Sequence, residues 1–162
     1  MNYLGLEKNK LTTLAAELND LLANYQLYYQ NLRNFHWNVS GPHFFDLHRE
    51  FEDLYVDARV KIDDIAERLL TLRFRPLSNL TEYLDRAKVE EAGQVNEDRE
   101  MVRIVLQNHQ ELIACMRRVL DAAGKVDDEG TIDMIGSFLE NLEKRSWMLD
   151  AWAARKREPA MA

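Results

Sequence analysis

Eight apolar side chains, Leu11, Leu14, Leu18, Leu21, Tyr25, Tyr28, Leu32 and Phe35, follow one another at alternating intervals of three and four residues. An α-helix turns through about 100° per residue, so that spacing returns to one side of the helix at every step. The run predicts a long amphipathic helix with an unbroken buried seam. A second run, Phe44, Leu47, Phe51, Leu54, Ala58, Ile62, Ile65 and Leu69, repeats the pattern and predicts a helix from about Pro42 to Leu72. Met101, Val105, Leu112, Met116 and Val119 mark a third, from about Val95 to Ala123, and Ile132, Ile135, Leu139, Leu142, Leu149 and Trp152 a fourth.

The breaks between these runs fix the topology. Ser40-Gly41-Pro42 separates the first two, with Gly relaxing the backbone and Pro expected to open the next helix. The second-to-third connection is long. It carries Pro76, Ser78 and Gly93, and within it residues 80–87 (LTEYLDRA) read as a short helix behind a Ser/Asn cap. Gly124 to Gly130 is an acidic turn. With only 6 Gly and 3 Pro in 162 residues, sandwiches and disordered linkers are excluded as fold classes. The expectation is all-α: a ferritin-like four-helix bundle with a short extra helix between helices 2 and 3. Residues 1–162 read as a single domain whose short termini, about 1–8 and 156–162, are loose.

A net charge of -7 argues against a surface built for phosphate binding. The single cysteine, Cys115, cannot form an intrachain disulfide and fits a reducing compartment. No run approaches the roughly 18 apolar residues of a membrane span, and MNYLGLEKNK lacks the apolar core of a signal peptide. A cytoplasmic protein with no membrane partner is expected.

Metal-ligand residue types concentrate on His36, His48, Glu52, Asp63 and Glu67. A di-iron site inside the bundle would need Glu-x-x-His from each of two helices. The residues three before His36, His43, His48 and His109 are Arg33, Ser40, Phe45 and Leu106, which excludes it. On a helical wheel at about 100° per residue, His48 at 0° puts Glu52 at about 40°, Asp63 at about 60° and Glu67 at about 100°. The polar stripe so formed lies to one side of the bundle-facing residues. Glu52 and Asp63 are about 16 Å apart along the axis, whereas ligands to one ion lie within roughly 2 to 2.6 Å of it. Two copies of the second helix, antiparallel about a two-fold axis near Asp57 and Ala58, bring His48 and Glu52 of one chain opposite Asp63 and Glu67 of the other. Such a mixed N/O set suits Fe(II), Mn(II) or Zn(II). The competing reading is a solvated face whose acids pair with Arg49, Arg59, Lys61 and Arg68.

The segment from Asn34 to Leu69, NFHWNVSGPHFFDLHREFEDLYVDARVKIDDIAERL, resembles the signature of the Dps family, the mini-ferritins. His-Trp-Asn-Val, then Gly, then Leu-His twelve residues after the first His, then Asp-x-x-Ala-Glu-Arg, agree in order and spacing. LTEYL and EKRSWML extend the resemblance over nearly the whole chain. It implies a homo-dodecameric shell, bacterial and cytoplasmic, that oxidises Fe(II), preferentially with hydrogen peroxide, and stores Fe(III) as mineral against oxidative stress. By position His36, His48 and Glu52 match the family's ligands from one subunit, and Asp63 and Glu67 those from its two-fold mate. Glu52 stands where many members have Asp. Trp37 corresponds to a tryptophan beside the centre. Asp128 and Asp133 are the best fits to acids that line an iron-admitting pore, against the plainer reading of such acids as complements to a helix N-terminus. DNA binding in the family usually runs through a lysine-rich tail, and this chain has only Lys8 and Lys10 near its start and Arg155-Lys156-Arg157 near its end, so DNA protection by direct binding is the alternative function. His109 is expected to be exposed or packing, Cys115 a small buried hydrophobe, and Met134 and Met148 core filling.

Overall fold

The computed structural model describes residues 4–154, and the tails 1–3 and 155–162, Arg155-Lys156-Arg157 among them, lie outside the described residues. A 3-10 turn, Lys8–Leu11, leads into α1 (Thr12–Asn38), followed by α2 (Phe44–Thr71), the short α3 (Leu80–Arg86), α4 (Asp98–Gly124) and α5 (Glu129–Ala153). No strand occurs among the described residues. The four long helices form the bundle and α3 packs on α1 from within the crossover, as the spacing of apolar residues predicts. Every member of the first apolar run is buried, as are Leu47, Phe51, Leu54, Ala58, Ile65 and Leu69 of α2. Among the described residues no helix is long and apolar enough to cross a membrane.

Three boundaries differ from expectation, each for a local reason. Pro42 does not open α2. Gly41, at φ 94°, turns the chain, Phe44 N donates to Gly41 O at 3.1 Å, and the helix starts at Phe44. The second histidine, His43, precedes it and donates from Nδ1 to Asp98 Oδ2 at 2.6 Å, tying the start of α2 to that of α4. α4 begins at Asp98 rather than near Val95, with Asp98 and Glu100 in its first turn complementing the helix dipole. At the N-terminus, expected to be loose to about residue 8, Leu4 and Leu6 already pack against the core. Met148 is also misplaced by the sequence reading: it is 43% exposed, whereas Met134 packs on the core.

The long crossover is pinned by side chains of α1. Asn19 Oδ1 accepts from Leu77 N at 2.8 Å, and Asn24 Oδ1 accepts from Lys88 N and Val89 N, each at 2.9 Å. Asn31 both accepts from Ala92 N and donates to Glu90 O, each at 2.9 Å, and Asn34 donates to Gly93 O at 2.7 Å. These amides satisfy backbone groups of a segment that has no helix or sheet to do so. At the opposite seam, α2 and α5 are bridged by long side chains. Lys61 Nζ reaches Asp57 Oδ2 at 2.6 Å and Asn141 Oδ1 at 3.2 Å, and Arg145 reaches Glu50 at 3.3 Å. Arg68 pairs with Asp128 and donates from Nε to Thr131 Oγ1 at 2.9 Å.

Candidate metal centre

His36 sits in the last turn of α1 and His48 in the second turn of α2, so the short turn between the helices folds the two rings together. Their rings stack with centroids 3.8 Å apart and 20° between planes. The bonding is reciprocal: His36 Nδ1 meets the carbonyl of His48 at 2.7 Å, and His48 Nδ1 meets the carbonyl of His36 at 2.8 Å. A carbonyl oxygen only accepts, so each Nδ1 carries a proton, and in the neutral rings Nε2 keeps its lone pair. Metal-binding imidazoles are prepared in this way, with the second nitrogen tied to an acceptor that fixes tautomer and orientation. The exchange also serves the fold, because the His36 carbonyl belongs to the last turn of α1, whose acceptors lack helical partners. Phe44 stacks on His48 at 4.8 Å, and Tyr55 closes the other side, edge-on to His36 at 5.3 Å.

Glu52 lies one turn beyond His48, exposed, with the Tyr55 hydroxyl 3.4 Å from its Oε1. Asp63 and Glu67 are exposed further along α2. Among the described residues no three His, Cys, Asp or Glu side chains gather where they could hold a metal ion. One chain therefore assembles the two imidazoles and leaves the carboxylates of the stripe apart. Two of the four cations that the competing reading assigns to this stripe are engaged elsewhere, Lys61 and Arg68 both facing α5. Trp37 is exposed at the end of α1, with the Arg33 guanidinium 5.4 Å over its ring.

The pore expectation divides. Asp133 is exposed on the first turns of α5. Asp128 is not available to a pore. At 3% exposure it caps α5, accepting from Thr131 N at 3.3 Å and Thr131 Oγ1 at 2.6 Å, and pairs with Arg68. Its carboxylate is consumed by the fold.

One polar network escapes the sequence reading. His109, buried on α4, meets the Tyr28 hydroxyl through Nε2 and Ser146 Oγ through Nδ1, both at 2.8 Å. Ser146 donates its own proton to the Leu142 carbonyl at 2.7 Å, so it accepts from His109 Nδ1, and Nε2 accepts from Tyr28. Burial, helped by the Lys61 ammonium, pushes the His109 pKa from 6.5 down to about 3. Burial pushes the Tyr28 phenol well above its ordinary value. The sequence signal was present but incomplete: His109 falls four residues after Val105 and three before Leu112, in step with the apolar run of α4, a spacing that marks an inward position without naming the partners of a polar ring there.

The chain matches the family description of a ferritin-like domain over residues 15–157. The DNA protection during starvation protein of Brevibacillus brevis is 40% identical over 139 residues, covering 86% of this chain and 93% of that protein. Its counterpart in Porphyromonas gingivalis is 38% identical over 93% of this chain and 95% of its own length. The crystal structure of a Dps protein from Vibrio cholerae O1, described as a member of a broad superfamily of ferritin-like diiron-carboxylate proteins, superposes with a TM-score of 0.92 at 39% identity, covering 95% of this chain and 97% of that one. By sequence and by fold, over most of its length, the chain belongs to the Dps family of ferritin-like proteins.

Proposed function

We propose that this protein is a ferroxidase that oxidises Fe(II) at centres shared between two chains and stores the ferric product in a dodecameric shell. The observation that carries this reading is the reciprocal His36/His48 pair, which presents two Nε2 lone pairs while no complete ligand set forms within one chain. The missing oxygen donors are Asp63 and Glu67 of a two-fold mate, with Glu52 from the same chain as the histidines. The surface between the two halves of the stripe supports that pairing. Val56 and Val60 of α2 are 42% and 51% exposed there, and two antiparallel copies of α2 would bury them.

Histidine nitrogens and carboxylates suit Fe(II), with Zn(II) or Mn(II) as substitutes, and the carboxylate charge favours Fe(III) once it forms. With hydrogen peroxide as oxidant, two Fe(II) each give one electron, the O–O bond breaks, and two protons complete two waters. Taking both electrons in one place denies the peroxide a one-electron route to hydroxyl radical. Asp133, exposed near the start of α5, draws Fe(II) inward through an acidic pore. Twelve chains of 19.0 kDa give a shell of about 230 kDa. A bacterial, cytoplasmic setting fits the relatives' sources and the single buried cysteine.

Complementation between chains tests the geometry. A chain carrying His36→Ala and His48→Ala and a chain carrying Asp63→Ala and Glu67→Ala are each expected to oxidise Fe(II) no faster than buffer. Refolded together in equal amounts, about half of the two-fold pairs are mixed and one of the two sites in each is intact, so about a quarter of the activity returns. Confirmed co-assembly without recovered activity refutes the shared site. The relatives' name supports a second reading, DNA protection by direct binding. It predicts gel retardation that weakens steeply with salt, against a net charge of -7.

A further inference from the structure

A series of aromatic rings runs from the candidate centre into the middle of the bundle. Tyr55 stands edge-on to His36 at 5.3 Å, and Tyr29 to Tyr55 at 6.1 Å. Tyr29 and Tyr25 are four residues apart on α1, hence neighbours on one helix face. Tyr25 meets Tyr28 at 6.0 Å, and Tyr28 meets His109 at 5.3 Å. The outer members are half-buried and the inner ones fully enclosed.

The inner end differs from the rest in its hydrogen bonding. Among the described residues, Tyr28 is the tyrosine whose hydroxyl rests on an imidazole nitrogen, His109 Nε2, and the Ser146 to Leu142 bond fixes that nitrogen as an acceptor. The Tyr25 hydroxyl is buried with no partner and so has no base to take its proton. Tyr25 can pass an electron on, whereas Tyr28 can lose an electron and a proton together.

We propose that Tyr28 is a redox-active tyrosine with His109 as its proton acceptor, and that it supplies one electron through Tyr25, Tyr29 and Tyr55 to the hydroxyl radical formed when peroxide reaches a centre holding a single Fe(II), where the second electron is missing. The radical takes the electron and becomes hydroxide. The Tyr28 O–H bond breaks, its proton forms an N–H bond at His109 Nε2, and a neutral tyrosyl radical faces an imidazolium. The next Fe(II) returns the electron, becoming Fe(III), and the proton goes back to Tyr28. The net change is Fe(II) and hydroxyl radical to Fe(III) and hydroxide.

The surroundings favour this cycle. Burial holds the Tyr28 phenol protonated, so electron and proton must leave together. His109 is neutral at physiological pH, and although it is a weak base, an oxidised phenol is a much stronger acid than imidazolium. The charged groups near the pair are Lys61, Asp57 and Glu50 of α2 and Arg145 of α5. Lys61 opposes the imidazolium and so drives the proton home when the electron returns. The source of the oxidant rests on the iron reading, but the redox capacity of the pair does not.

The test therefore has two arms on the full chain, both read by electron paramagnetic resonance. In the first, metal-free protein is oxidised by flash-generated ruthenium(III) tris-bipyridine. A tyrosyl signal is expected that is lost in Tyr28→Phe, forms more slowly in D2O, and is diminished in His109→Gln, whose amide accepts a hydrogen bond but is not a base. Tyr29→Phe, at a half-buried position, interrupts the series without opening the core and is expected to slow the signal. In the second arm, Fe(II) at less than one ion per centre is mixed with peroxide and frozen while iron oxidation is followed by absorbance. Equal signals in wild type, Tyr28→Phe and Tyr29→Phe in the first arm overturn the proposal, as does rapid iron oxidation with no Tyr28-dependent signal in the second. Absence of iron oxidation, with the first-arm signal intact, instead refutes the iron reading.

Discussion

Lowering the pH is expected to destabilise the folded chain through His109. In the unfolded chain this histidine takes up a proton below its ordinary pKa of 6.5, whereas in the bundle it resists protonation down to about 3. Between those values the unfolded state binds the extra proton, so stability falls as the pH falls, and below about 3 the loss is complete. The slope for one proton is about 1.4 kcal/mol per pH unit, and near pH 4.5 the loss is roughly 2 to 3 kcal/mol per chain. Against a typical total of about 5 to 15 kcal/mol, that is a large fraction. Carboxylates titrate in the same range, so the measurement is a difference. Urea midpoints for wild type and His109→Gln are compared across this window at one protein concentration, since an oligomer's stability depends on it. Glutamine accepts from Tyr28 and donates to Ser146 but does not titrate, and its stability should fall less steeply. Parallel pH dependences for the two proteins refute the assignment of a neutral, buried His109.

Asp128→Asn keeps a capping side chain but leaves the Arg68 guanidinium without its carboxylate at a largely buried position, and a loss of about 2 to 4 kcal/mol is expected in denaturant unfolding. An unchanged midpoint returns Asp128 to the pore. Asn31→Ala removes the partners of the Ala92 amide and the Glu90 carbonyl and is expected to cost about 1 to 3 kcal/mol, with faster hydrogen exchange confined to residues 88–93. Uniformly faster exchange contradicts a local role. Asp133→Asn is expected to slow iron uptake while leaving the oxidation of iron already at the centres unchanged, and equal uptake rates remove Asp133 from the pore.

The helices were legible because their information is one-dimensional. A three-and-four spacing names the buried face whatever it packs against, and Leu11 to Phe35 all lie inside as it requires. The His36/His48 pair was legible as ligand types in a family pattern, but the reciprocal bonds to backbone carbonyls were not, since they depend on how tightly the Gly41 turn folds α1 onto α2. Partners distant in sequence were hidden altogether. An acid before a helix reads equally as cap or pore lining, and Asp128 was decided by Arg68, 60 residues earlier. Asn24, Asn31 and His109 occupy buried positions that periodicity marks without saying what satisfies a polar side chain there.

The asparagines of α1 grip the crossover almost entirely by its main chain, touching the amides of Lys88, Val89 and Ala92 and the carbonyls of Glu90 and Gly93. A clamp that holds backbone does not read side chains. Lys88, Glu90 and Glu91 point outward from it, exposed, and their identities are therefore free to drift or be redesigned without loosening the bundle. The same stretch would accept a foreign recognition sequence, and in a closed shell each graft would be displayed at as many fixed positions as there are chains, its spacing set by the symmetry of the assembly rather than by a linker.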